Sequence, residues 1–299
     1  ICGWDGSARL NDIWSSADGI EWTQESSNAI FSARSDHQVV LFEKKLWLIG
    51  GWDGTTQTND IWSSSDGIDW TEATANAAFS KRERHQVVSF NNKLWLIGGS
   101  DGSNYKNDIW SSDDGISWTQ EVANASFTPR SMHQVIQFQN KLWLIGGYNN
   151  SFNNDVWSSD DGITWVEATG SANFKERINH QAIAFDNKLW LIGGNANGIR
   201  QNDVWYSSDA INWTHESNSA AFARRNSHKA VSLNNKLWLI GGETDDSYKD
   251  DVWSSEDGID WLQETATANF SPRSSHQVIS FNDKFWFVGG YAGSYKNDI

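Results

Sequence analysis

Short apolar runs and polar turns alternate along this chain, and no stretch keeps the 3.6-residue period of a helix. Residues 82–119 show the pattern. His85 to Phe90 is rich in β-branched residues and predicts a strand. Asn91-Asn92 sits at hairpin spacing. Lys93 to Ile97 predicts a second strand, ended by Gly98-Gly99. A polar loop covers 100–107. Asp108 to Ser112 alternates and predicts a third strand. Asp114-Gly115 signals a tight turn, and Ile116 to Thr119 predicts a fourth strand.

The same unit recurs six times. Lys-Leu-Trp-Leu-Ile-Gly-Gly stands at 45–51, 93–99, 141–147, 188–194 and 236–242, with Lys-Phe-Trp-Phe-Val-Gly-Gly at 284–290. The second glycines are spaced by 48, 48, 47, 48 and 48 residues, and Gly3 extends the series backwards by 48. An Arg-x-x-His pair precedes each first strand: Arg34/His37, Arg82/His85, Arg130/His133, Arg177/His180, Arg225/His228 and Arg273/His276. Each third strand carries Asp-[Ile/Val]-Trp, beginning at Asp12, Asp60, Asp108, Asp155, Asp203 and Asp251. A further Trp follows eight residues after the first, and a Phe nine residues after that. Three Trp in each of six units account for 18 of the 20; Trp4 and Trp52 are the remainder.

A lone four-stranded unit cannot bury both of its apolar faces. Units stacked in a ring can, and a ring leaves no open sheet edge. The expected fold is therefore all-β: a six-bladed propeller of four-stranded antiparallel blades, one domain over 1–299. The expected blades are 34–71, 82–119, 130–167, 177–214 and 225–262, plus a closing blade made of 273–290 and 4–23. Residues 4–13 and 291–299 duplicate each other and compete for one slot. The N-terminal copy is expected to fill it, because it runs on into a fourth strand. A crop of a seven-bladed ring is the alternative.

The set of motifs resembles the kelch-repeat propellers: four apolar residues, Gly-Gly, an aromatic on the third strand, a Trp on the fourth, then an Arg. All six units match. The third-strand aromatic is Trp throughout (Trp14, Trp62, Trp110, Trp157, Trp205, Trp253), where the family more often has Tyr. The Trp-Ser-Ser-x-Asp-Gly-x-x-Trp-Thr version is similar to a subgroup met in bacterial secreted or surface-attached proteins. This implies an extracellular or cell-surface location. The string also resembles the sialidase Asp-box, with the spacing off by one.

Composition narrows the function. The chain has 299 residues and a net charge of -15, from 23 Lys+Arg against 38 Asp+Glu. Such a chain gains nothing from phosphate counterion release, so nucleic acid is not an expected partner. No apolar run is long enough to span a bilayer. One cysteine, Cys2, excludes an intramolecular disulfide and a cysteine metal site. The opening Ile1-Cys2-Gly3 reads as a mature form, an excised domain or a partial sequence.

Residues identical in every unit are expected to do the same structural work in every unit. That reading covers the six Arg-x-x-His pairs, the six Asp and the diglycines. The histidines could satisfy loop carbonyls, and the arginines could bridge blades through backbone oxygens. Function is expected where units differ: in the loops after the second strand, which share a face with those after the fourth. In peptide-binding kelch propellers, the first loop residue and the residue two after the Arg line the pocket. The resemblance places Trp4, Trp52, Tyr148, Asn195 and Glu243 at the first position, and Asp36, Arg84, Met132 and Asn179 at the second. Exposed aromatics beside amides and carboxylates would suit a sugar or a protein anchor. The acidic loop of Glu243, Asp245, Asp246, Asp250 and Asp251 matches no known calcium spacing and reads as solvated. The expectation is a non-catalytic binding module for a protein or glycan, part of a larger protein, monomeric as a domain, with no cofactor, metal or membrane insertion. A sugar epimerase of the kelch kind and a purely structural propeller are the alternatives. A copper radical oxidase would need a cross-linked Cys-Tyr pair, and Cys2 lies in the diglycine register, away from such a site.

Overall fold

The computed structural model describes residues 8–217 and 219–293. These form 24 strands and no helix, gathered into six four-stranded antiparallel sheets. Blade 1 combines 8–26 with 277–292. Blades 2 to 6 are 38–74, 86–122, 134–169, 181–217 and 229–265. In blade 1, Ala8–Ser16 lies beside Lys284–Ala292, with Ile13 opposite Val288 and Trp14 opposite Phe287. The N-terminal segment therefore takes the contested slot, and the ring closes through a split blade.

Each hairpin between first and second strands turns on two residues in the left-handed region. At Asn91-Asn92 φ is +51° and +57°, and at Glu43-Lys44 it is +48° and +60°. This is the type I′ geometry that matches strand twist. Two boundaries differ from expectation. The second strand does not stop at the diglycine but runs to Ser100, with a bulge between Ile97 and Gly99. Left-handed φ at both glycines forms that bulge. A Cβ on Gly99 would also lie 2.7 Å from the His85 Cβ, so the pair supplies both freedom and space. The fourth strand is Thr119–Val122 rather than 116–119. The Asp114 carboxylate accepts from the Ile116 and Ser117 amides and holds that stretch as a turn.

The three repeated tryptophans have three jobs. The second-strand indole donates to a carbonyl at the hairpin, as Trp95 to Phe90 O at 3.0 Å. The third-strand indole donates to the repeat Asp, as Trp110 to Asp108 at 2.8 Å. The fourth-strand indole donates into its turn, as Trp118 to Gly115 O. Blades meet through the same side chains. Gly115 lies on the ring of Trp47 in the blade before, and Phe79 meets Trp118 edge-on at 5.4 Å.

Arginine clamps fasten each blade to the next. The Arg34 backbone joins blade 1, its N–H donating to Leu10 O and its carbonyl accepting from Gly290. Its buried guanidinium reaches into blade 2 and donates to Gly50 O and to both oxygens of Asp60. Burial pushes the Asp60 carboxyl up, but the hydrogen bonds and charge of Arg34 outweigh it and hold the group low. The histidines differ from expectation. All six are buried, and the rings of His85, His133 and His276 approach the backbone of Ile49, Ile97 and Ile240 in the preceding blade without close hydrogen-bond geometry. They act by packing: the His85 ring lies against Gly50 of the preceding blade.

Candidate functional site

The residues two after each Arg form the mouth of the channel. Their backbones make a closed circle: Arg84 N donates to Asp36 O, Met132 to Arg84, Asn179 to Met132, Ser227 to Asn179, Ser275 to Ser227, and Asp36 to Ser275, at 3.0–3.3 Å. All six are left-handed, with φ between 51° and 57°. Each such non-glycine residue costs about 1–2 kcal/mol, which the ring of bonds and the flanking clamps offset. The sequence pattern carries no sign of this circle, because it depends on the blades being side by side.

The rim stands around the circle. The first residue of each 2–3 loop is fixed by a two-way backbone bridge to the residue after the repeat Arg, as Trp52 with Ser35 and Tyr148 with Ser131. Opposite each, the third strand begins: Trp52 faces Gln57, Ser100 faces Tyr105, Tyr148 faces Phe152, Asn195 faces Arg200, Glu243 faces Tyr248, and Tyr291 faces Arg9. Both positions expected at the site are thus brought to one face. Asp36, Arg84, Met132 and Asn179 line the channel cavity. Asp36 and Arg84 pair across two blades at 3.6 Å, and the Asp36 charge raises the Arg84 guanidinium.

Trp4 lies outside the described residues, and the seat expected for it is taken by Tyr291, the same register in the duplicated tail. Trp52 and Tyr148 are half-buried rather than exposed. The guanidinium of Arg9, from the neighbouring blade, stands 5.7 Å from the Trp52 ring and 5.5 Å from that of Tyr291. Tyr148 is held edge-on between Tyr105 and Phe152. The acidic loop is drawn apart. Glu243 and Asp245 pair with Arg200, while Asp251 is the clamp partner of Arg225. Among the described residues no group of three carboxylates, histidines or cysteines could hold a metal.

Sequence reasoning passed over Arg9, Tyr105, Arg200 and Tyr248, because it weighed only the first loop residue and not its cross-strand partner. It also passed over the start of the innermost strands. There Gln38, Gln86, Gln134, Gln181, Lys229 and Gln277 face the same cavity.

The description of the KLHDC2/KLHL20/DRC7 Kelch-repeats domain matches residues 5–167, more than half of the chain. The protein belongs to the kelch-repeat family. No curated protein matches it. Kelch propellers are commonly protein-interaction modules and typically non-catalytic. No helix among the described residues is long and apolar enough to cross a membrane.

Proposed function

We propose that this kelch propeller is a non-catalytic binding module whose rim and channel mouth receive a segment of a partner protein. One observation carries the reading. Six blades repeat nearly every packing residue, yet the six rim pairs carry six different chemistries on backbones locked by bridges. Locked backbones lower the ordering cost of binding, and aromatic and arginine side chains are the usual anchors at protein interfaces.

A glycan is the weaker partner. Sugar stacking needs an open aromatic face, and Arg9 shares that of Trp52 while Tyr148 is enclosed by edges. In this reading the module works outside the cell or at its surface, within a longer chain.

The experiment is selection of peptides from a displayed library on the purified protein, with a glycan array in parallel. The selected peptides should lose about ten-fold or more in affinity for Trp52→Ala and Arg84→Ala. Lys141→Ala, on the hairpin face, should leave binding intact. Peptides indifferent to the rim variants, or glycan binding alone, would overturn the reading.

A further inference from the structure

The circle at the channel mouth departs once from its own chemistry. Five of its six side chains are polar or charged: Asp36, Arg84, Asn179, Ser227 and Ser275. The sixth is Met132. It is the single methionine of the chain, and it belongs to none of the six apolar clusters that hold the blades together. A methionine inside a core fills an irregular gap. This one stands half-buried at the mouth and lines the channel cavity beside Arg84 and Asn179.

The backbone fixes where that side chain stands. The Met132 amide donates to Arg84 O at 3.2 Å, its carbonyl accepts from the Asn179 amide at 3.3 Å, and φ is +57°. The residue before it, Ser131, is bridged in both directions to Tyr148. The Tyr148 ring in turn sits between Tyr105 and Phe152. Blades 3 and 4 therefore give the mouth an arc of three aromatic rings with one thioether at its inner end. The Arg84–Asp36 pair stands next to it as the charged part of the mouth.

A thioether is polarisable and unbranched, so it moulds to an apolar side chain brought by a partner. Oxidation reverses that preference. A lone pair of the Met132 Sδ attacks one oxygen of a peroxide, the O–O bond breaks, and the other oxygen takes up a proton and leaves as water. The sulfide is oxidised to the sulfoxide and the peroxide is reduced to water. The product is a polar acceptor placed where the partner's apolar side chain would sit. Because Met132 is outside the blade-to-blade core, the propeller itself is spared.

We propose that Met132 is a reversible oxidation switch in the binding mouth: as a thioether it seats an apolar side chain of the partner segment, and as a sulfoxide it rejects it. The proposal rests on the partner reading above.

The test treats the whole chain with hydrogen peroxide and locates the added oxygen by peptide mapping. Peptides selected on the untreated protein are then titrated onto both forms. Met132 should oxidise at a rate within about five-fold of free methionine, as a half-exposed thioether does. The oxidised protein should bind about five-fold or more weakly, with its unfolding midpoint unchanged. A methionine sulfoxide reductase should restore the affinity. Met132→Gln should bind as weakly as the oxidised protein. Met132→Leu, whatever its own affinity, should lose nothing further on peroxide treatment; it keeps Cys2 and every tryptophan, so a loss shared by both proteins does not arise at Met132. Equal affinity of the two forms, an equal loss in Met132→Leu, resistance of Met132 to peroxide, or a midpoint that falls on oxidation would overturn the proposal. Peptides that need Trp52 and ignore the oxidation would leave the rim reading standing and sink this one alone, whereas a selection with no rim-dependent peptide removes both.

Discussion

Arg273 donates to both oxygens of Asp12, at 2.5 and 2.8 Å, across 261 residues of chain. The other five clamps repeat this geometry over only 25 or 26 residues, as Arg82 with Asp108 and Arg130 with Asp155. Of the six clamps, Arg273–Asp12 is the one that joins the two ends of the chain, beside the pairing of Ala8–Ser16 with Lys284–Ala292 and the edge-on contact of Phe270 with Trp22 at 5.4 Å.

Breaking that clamp should open the ring at its seam. Asp12→Ala leaves a buried guanidinium without its partner, which costs about 3–5 kcal/mol. The expected result is a lower unfolding midpoint, with early proteolysis within residues 8–26. Asp108→Ala should cost a similar amount without directing cleavage to that segment. Limited proteolysis read by mass spectrometry separates the two.

The six buried histidines make the fold acid-sensitive well above the carboxylate range. Burial, then the adjacent clamp arginine, lowers all six, and His85, His133 and His180 fall to about 3. Between pH 6.5 and 3 the unfolded chain binds protons that the folded one refuses. Stability is therefore lost as pH falls through 6.5, by roughly 1.4 kcal/mol per histidine at pH 5.5. Urea unfolding from pH 7.5 to 5.5 should show this loss. His133→Gln should take about one sixth of the slope away.

Lys229 acts at the other end of the scale. Its ammonium is lowered from 10.5 to about 8, so between those values the unfolded chain holds a proton the folded one has lost. Stability should rise with pH across that window. At pH 7, Lys229→Gln should be more stable than wild type, and its alkaline rise should be flat. Chemical denaturation at pH 7 and pH 10 measures both.

Ala210 stands where the other five turns have glycine. It is fully buried, with φ at +61°. A left-handed alanine costs about 1 kcal/mol or more. Ala210→Gly should raise stability by about that amount, whereas Gly115→Ala should lower it, because a Cβ there would lie 2.7 Å from the Trp47 ring. Paired thermal melts give the sign.

By itself the sequence determined the blade count, the four strands per blade, the phase of the seam and the face on which the blades differ. All of these follow from a 48-residue period and from turn chemistry that acts within a few residues. The two scaffold positions at the mouth, around Arg84 and Trp52, were legible for the same reason. Only the tertiary structure decided what those positions do. The backbone circle of Asp36 to Ser275 needs six blades in contact. Arg9 covers Trp52 because strand partners come from opposite ends of the chain. The histidine before Lys229 packs on the diglycines of its own blade and of the one before, where a Cβ would collide with it. The substitution at Lys229 was visible in the sequence as one Lys among five Gln. That it forms no ion pair among the described residues became visible only when the ring closed around it, because periodicity reports which residues are equivalent and not what faces them.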